Sequence, residues 1–400
     1  MPRLRTSRSA ARAAALLLLA APAAAFAQSP LLARHSVAVG PVFETWQLTD
    51  GITHGVGGSR LERATQWSVP FGVTIGAGSR WSIDVSSAYA VGTVTLDRAD
   101  PQLRTDELRL DGLADVRARA TGRFFGDQLL VTLGAVAPTG ATELDPEELS
   151  ALRVLSAPAL SFQTPVLGSG AGATIGVVVA RPVGAWAVAA GTSYEYRARY
   201  TPATIIAGLP TPDFSPGGVV HLSLGADGLL GRHGATITGS VDLFESDRLS
   251  GDEGVAVPPT RLGPVATFDA RLNVATSAFR QLTLYVVDRY RSSFERDGAT
   301  VEESSGNYLD AGVHSVYPVG PRTGLLVALN GRHHTGLGFD EGIQTAAIAS
   351  GALTLGLTHA FANGFELAPF ARGQLGRLES GDESTNVRGI AAGITLSRRF

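Results

Sequence analysis

Polar and apolar residues alternate along most of this chain, in segments of strand length. Trp67, Val69, Phe71, Val73 and Ile75 share one phase, and so do Trp81, Ile83, Val85, Tyr89 and Val91. Ala235, Ile237, Val241 and Leu243 alternate with Thr236, Thr238, Ser240 and Asp242. Phe268, Ala270, Leu272 and Val274 alternate with Thr267, Asp269, Arg271 and Asn273. Leu353, Leu355 and Leu357 alternate with Thr354, Gly356 and Thr358. A period of two belongs to β-strands with chemically different faces. The pattern predicts sixteen strands, from about 34–48 to 388–400, with fourteen as the nearest alternative.

The connections also keep a two-beat rhythm. Short turns at 76–79, 125–127, 182–184, 231–233, 277–280, 319–321 and 362–364 alternate with longer polar stretches at 50–63, 97–111, 139–171, 201–217, 246–260, 296–306, 336–342 and 380–386. Short turns on one rim and long loops on the other are the layout of a membrane barrel. The expected fold class is therefore all-β: an antiparallel up-and-down transmembrane β-barrel with short periplasmic turns and long extracellular loops. Aromatic residues near the expected strand ends (Trp46, Trp67, Trp81, Trp186, Tyr200, Tyr290, Tyr317 and Phe361) suit girdles at the two bilayer interfaces.

Periodicity alone does not separate a soluble sandwich from a barrel, because both have one apolar face. The loop asymmetry and the two ends tip it. Arg3, Arg5, Arg8 and Arg12 precede the apolar run 13–21, and Ala25-Phe26-Ala27 offers a cleavage site. Residues 1–27 are expected to be a cleaved signal peptide, leaving 28–400 as a single outer-membrane β-barrel domain. At the other end, Ile390, Ala392, Ile394, Leu396 and Phe400 share a face. A terminal aromatic in phase with an apolar face resembles the assembly signal of outer-membrane barrels, so Phe400 is the candidate contact for the barrel-assembly machinery.

Composition narrows the possibilities further. Of 33 basic and 36 acidic residues, four basic and no acidic ones fall in 1–27, so the remainder carries −7. That balance excludes nucleic acid as a natural partner. The chain has no cysteine, so disulfides and thiolate chemistry are absent. After residue 27 no apolar run is long enough for a helical span. There is no G-x-S-x-G or H-E-x-x-H motif, and adjacent His333 and His334 point to opposite faces of a strand. No enzyme activity and no cofactor are expected. The expected partners are outer-membrane lipid and a small-molecule solute.

If the apolar phases face lipid, the opposite phases line the lumen. They place Asp115, Arg117 and Arg119 on one strand, and Glu195, Arg197 and Arg199 on another. Asp269, Arg271, Glu366 and Arg372 follow further round. Such charges either orient passing solutes or pair and brace the wall, since a low-dielectric site requires them paired or wet. The third long loop contains a helix start, with Asp145 at the N-cap, Pro146 at N1 and Glu148 at N3. Leu149, Leu152 and Leu155 follow at helical spacing, then Phe162. These residues either pack on neighbouring loops or form an apolar lid over the mouth.

Several short motifs bring a family into view. Gly112-Leu113-Ala114-Asp115-Val116-Arg117-Ala118-Arg119-Ala120 reads as a strand start and Leu133-Gly134-Ala135-Val136-Ala137-Pro138-Thr139-Gly140 as a strand end. Leu167-Gly168-Ser169-Gly170, 175–181 and 184–188 form the hairpin that follows. They resemble the outer-membrane transporters linked to phenol meta-pathway degradation, related to the long-chain fatty-acid channel superfamily. Ala114 departs from the family's usual glycine, and 171–173 lack the bulkier group expected there. The resemblance implies passive uptake of small hydrophobic or aromatic compounds. The residues themselves leave open a general diffusion porin for small polar solutes, or a structural barrel without transport.

Overall fold

The structure is a computed structural model, and it describes residues 35–53, 59–97, 107–202, 213–250, 258–277, 280–302, 304–336 and 346–400. The expected signal segment 1–27 lies outside the described residues.

Sixteen antiparallel strands close into one barrel. In chain order they are β1 (His35–Val39 and Val42–Thr53), β2 (Arg60–Ala77), β3 (Trp81–Asp97), β4 (Glu107–Leu113 and Val116–Phe124), β5 (Leu129–Ala137) and β6 (Gly172–Val183). There follow β7 (Trp186–Arg197), β8 (Val219–Leu230), β9 (His233–Phe244), β10 (Val265–Ser277) and β11 (Arg280–Arg291). The last five are β12 (Gly306–Gly320), β13 (Thr323–Thr335), β14 (Ala347–Ala360), β15 (Phe365–Ser380) and β16 (Glu383–Arg399). Each strand pairs with the next, and β16 pairs back onto β1, so no sheet edge is left open.

Two strands are interrupted, each for its own reason. In β1 the break falls at Gly40-Pro41, and Val39↔Leu396 and Val42↔Gly393 keep one register across it. Pro41 only lacks a donor; its carbonyl still accepts from Ile394 N at 3.0 Å. In β4 the register against β3 slips by one residue between Leu113↔Tyr89 and Arg117↔Ser86. That bulge at Ala114-Asp115 reverses the phase of the strand and turns Asp115 away from the ladder.

The outer face carries the apolar phases. Phe71, Ile75, Ile237, Phe268, Leu284, Leu329, Leu355 and Ile390 all stand exposed on it. Trp67 and Tyr89 meet edge to face on the same surface, with ring centroids 6.4 Å apart. Two of the expected girdle aromatics are elsewhere. Trp46 is buried inside the barrel, 2% exposed, and Tyr200 lies in a loop against Phe214. The parity of β1 puts Trp46 in phase with Glu44, hence inward.

The loop end of the barrel departs from expectation once more. The stretch 380–386 is not a long loop but a two-residue turn at Gly381-Asp382, with Gly381 at φ 57°. β15 and β16 pair up to Ser380↔Glu383, above the apolar band, where polar residues suit the exposed part of a strand. Strand pairs in the fourth to sixth loops (Asp213–Ser215 with Arg248–Ser250, and Thr260–Arg261 with Glu295–Arg296) also build the wall higher on that side.

The closing seam generates the first prediction. Phe400 N donates to His35 O at 3.0 Å, and the Arg398 guanidinium lies 4.6 Å from the Phe400 ring and 4.8 Å from that of Phe365. Phe400→Asp is expected to lower the folded fraction by several-fold, seen as loss of the heat-modifiable band on a gel. An undiminished band would remove Phe400 from the assembly account.

Candidate functional site

The third loop does not stay above the barrel. It enters the lumen and lies against the inner wall from β13, through the seam, to β4. The wall there carries the larger of two buried apolar clusters. Trp46, Ile52, Leu61, Ala64, Ala90, Val94, Leu108, Leu110, Ile348, Leu378 and Val387 are all buried and share one cluster with residues of the loop.

The loop's local structure follows from its sequence. Helix α1 (Pro146–Leu155) begins with a capping box, in which Asp145 accepts from Glu148 N at 2.8 Å and Glu148 from Asp145 N at 3.0 Å. Its apolar side puts Ala151, Val154 and Leu155 into the wall, next to β3 and β4. Leu155 sits in a pit left by Gly92, where a Cβ would come within 2.2 Å of its Cδ1. Leu160, Phe162 and Leu167 are buried beyond the helix. Each such side chain contributes about 1.5–3 kcal/mol by leaving water. The two ends of the loop cross at Gly140 and Gly168, whose backbones approach too closely for any side chain.

Polar side chains of the wall hold the loop by its backbone. The Gln66 amide donates to Thr164 O at 2.7 Å and accepts from Thr164 N at 2.9 Å, and both residues are buried. Glu44 accepts from Gln163 N at 2.8 Å with one oxygen and from Arg372 at 2.7 Å with the other. Asp115, turned by the bulge, accepts from Gly140 N at 3.0 Å and from Ser169 N at 2.6 Å. Arg332 donates to Ser161 Oγ at 2.8 Å, and its guanidinium stacks 4.9 Å from the Trp46 ring. Buried backbone groups without such partners would cost about 1–3 kcal/mol each.

The sequence-derived candidates therefore fall into different places. Asp115 and Arg372 belong to the loop's anchorage. Arg117 and Arg119 are on the inward phase of β4, with Arg119 3.4 Å from Asp84. Glu195 and Arg197 are on the inward phase of β7, where Arg197 donates to Gly217 O at 2.6 and 2.9 Å. Arg199 lies beyond the end of β7, ion-paired with Asp213 in the fourth loop. Asp269 holds Arg271 through two bonds of 2.9 and 2.7 Å. Glu366 and Arg399 face each other at 3.9 Å near the turn end. Of the candidate lid residues, Leu155 and Phe162 are buried in the loop–wall core, and Leu149 and Leu152 pack against it.

Glu44, Gln66, Gly92 and Arg332 were not singled out from sequence as loop contacts. A signal was present, since Val42, Trp46 and Leu48 alternate with Phe43, so that both phases of β1 carry apolar groups. A strand apolar on both faces has something packed inside it.

On the other side of the inner wall, Tyr308 of β12 packs against this cluster, β5–β7 carry a second, smaller apolar cluster of Leu130, Val178, Ala180 and Ala189, and β8–β12 are mainly polar. His221 bonds to Asp242, Thr236 donates to Asp227 at 2.7 Å, and Thr283 donates to Asn273 at 2.7 Å. The described interior thus has an apolar side occupied by the loop and a mainly polar side along β8–β12, with the small cluster of β5–β7 between them.

No family model and no curated protein matches the chain. Among solved structures it is similar to a deletion mutant of the TodX monoaromatic hydrocarbon channel, at 9% identity over 92% of this chain and 90% of that one, with a TM-score of 0.45. Pseudomonas putida OprB gives 9% identity, 90% and 92% coverage, and a TM-score of 0.46. An outer membrane channel from Pseudomonas putida F1 gives 11%, 91% and 96%, and 0.35. At these values no function is transferred from them.

The Gly92 pit provides a direct test of the loop's seat. Gly92→Val fills it with side chain against Leu155, an overpacking cost of about 1–3 kcal/mol. Trypsin cleavage at Arg153 of the folded protein is expected to accelerate about tenfold. Unchanged protection would mean that the loop is held without this contact.

Proposed function

We propose that the chain is a passive outer-membrane channel for small polar solutes, which pass through the side of the lumen that the third loop leaves free. The observation that carries this reading is the division of the interior. Most apolar residues of the third loop are consumed in packing, and the wall of β8–β12 offers paired charges, hydroxyls and amides.

Membrane insertion is supported by the outer face. Dozens of large apolar side chains stand exposed there, including Leu224 at 65% and Leu375 at 67%. In water, exposing each would forgo about 1.5–3 kcal/mol, and a bilayer removes that cost. The closed ladder leaves no unpaired strand edge for lipid to meet. Both ends of the barrel fit this reading, with short turns facing the periplasm and long loops facing outward.

One observation favours a second reading, uptake of small hydrophobic or aromatic compounds. The wall beneath the loop is itself apolar from Trp46 to Leu110, so displacement of the loop would uncover an apolar path. Under that reading the loop is a gate; under the first it is a fixed constriction.

Replacing Leu149, Leu152, Leu155 and Phe162 together by Ser separates the two. The fixed-constriction reading expects several-fold faster pentose entry into proteoliposomes, and unchanged accumulation of a labelled monoaromatic compound by cells. If the wild type admits the aromatic but no pentose, and the variant changes only aromatic uptake, the second reading replaces the first.

A further inference from the structure

The polar side of the lumen contains one cluster in which part of the hydrogen-bonding capacity is left unused. Asp269 and Arg271 on β10, Tyr285 on β11, and Asp310 and His314 on β12 occupy adjoining inward positions, through Arg271↔Tyr285 and the β11–β12 register. Arg271 lies within electrostatic reach of Tyr285 and His314, as Asp310 does of Tyr285. Gly312, between Asp310 and His314, makes room for the tyrosine. A Cβ there would fall 2.7 Å from the Tyr285 hydroxyl and 2.7 Å from Leu329 O. The Tyr285 ring can therefore lie against the wall, tilted 45° to His314 with ring centroids 6.4 Å apart.

Among the described residues, neither the Tyr285 hydroxyl nor the His314 ring makes a hydrogen bond. Arg271 spends two of its five N–H groups on Asp269 and is 44% exposed to the lumen. The group combines donors, acceptors and two aromatic faces, and the Asp269–Arg271 pair cancels its own charge. Asp310, which also bonds His334 Nε2 at 3.0 Å, disfavours an anion, and the one apolar side chain in the cluster, Val287 between Asp269 and Asp310, is too small to hold a hydrocarbon by itself.

We propose that this cluster is a recognition strip for neutral polyhydroxylated solutes, small sugars above all. Ring hydroxyls both donate and accept, so they match the Arg271, Tyr285, His314 and carboxylate array. The C–H face of a sugar stacks on Tyr285 and His314. The inference rests on the channel reading for its biological setting, but binding itself does not require flux.

The experiment is saturation-transfer NMR on the folded full-length barrel in detergent, with glucose as probe and triethylene glycol dimethyl ether as a hydroxyl-free control. Tyr285→Phe removes one hydroxyl at constant shape, and Asp269→Asn with Arg271→Gln neutralises the pair together. The expected result is saturable glucose binding in the wild type, weakened about threefold to tenfold in each variant, with no saturable signal from the ether. Heat-modifiability of each variant confirms that it is folded. Absence of saturable glucose binding in the wild type overturns the proposal, and so does equal binding in both folded variants. Glucose binding without solute flux would instead sink the channel reading and leave the strip standing.

Discussion

The interior of this barrel is organised by contacts between wall side chains and the backbone of the third loop. A sixteen-strand barrel has a bore too wide for its own side chains to fill, and something must occupy or wet the remainder. Here Glu44, Gln66 and Asp115 supply acceptors and donors to loop peptide groups that would otherwise be buried unsatisfied. Because these bonds go to backbone atoms, they fix where the loop lies without depending on its side chains. The loop's own side chains then complete the seat by filling the apolar wall.

Other features depend on that seat. The bulge at Ala114-Asp115 is what aims Asp115 at both ends of the loop. Arg372 neutralises Glu44, which could not be buried alone at 6% exposure. With one side of the bore occupied, the mainly polar wall of β8–β12 borders the space that remains, and it is the route for solute under the function proposed above.

Much of the fold was legible in the sequence because a barrel wall obeys one rule repeated many times. Strand phases such as Trp67 to Ile75 and the capping box at Asp145 state their structure locally. The seat of the loop was less legible because it breaks that rule. Trp46, Leu61 and Leu108 are apolar residues on the inward phase, and their phase becomes informative only when a partner inside is known. Gly92 leaves no chemical trace at all; it matters through what it lacks. The stretch 380–386 misled because polar composition suits both a loop and a strand that extends past the membrane.

Since the chain has no cysteine, cross-linking can test the central claim against a clean background. Gly92→Cys combined with Leu155→Cys puts two thiols at the contact between wall and loop. Treatment of the folded barrel with a short bifunctional thiol reagent should join them within a single chain, and solute conductance should persist through the polar side. Absence of the intramolecular link, with both thiols freely labelled by a bulky reagent, would place the loop outside the lumen and contradict the account.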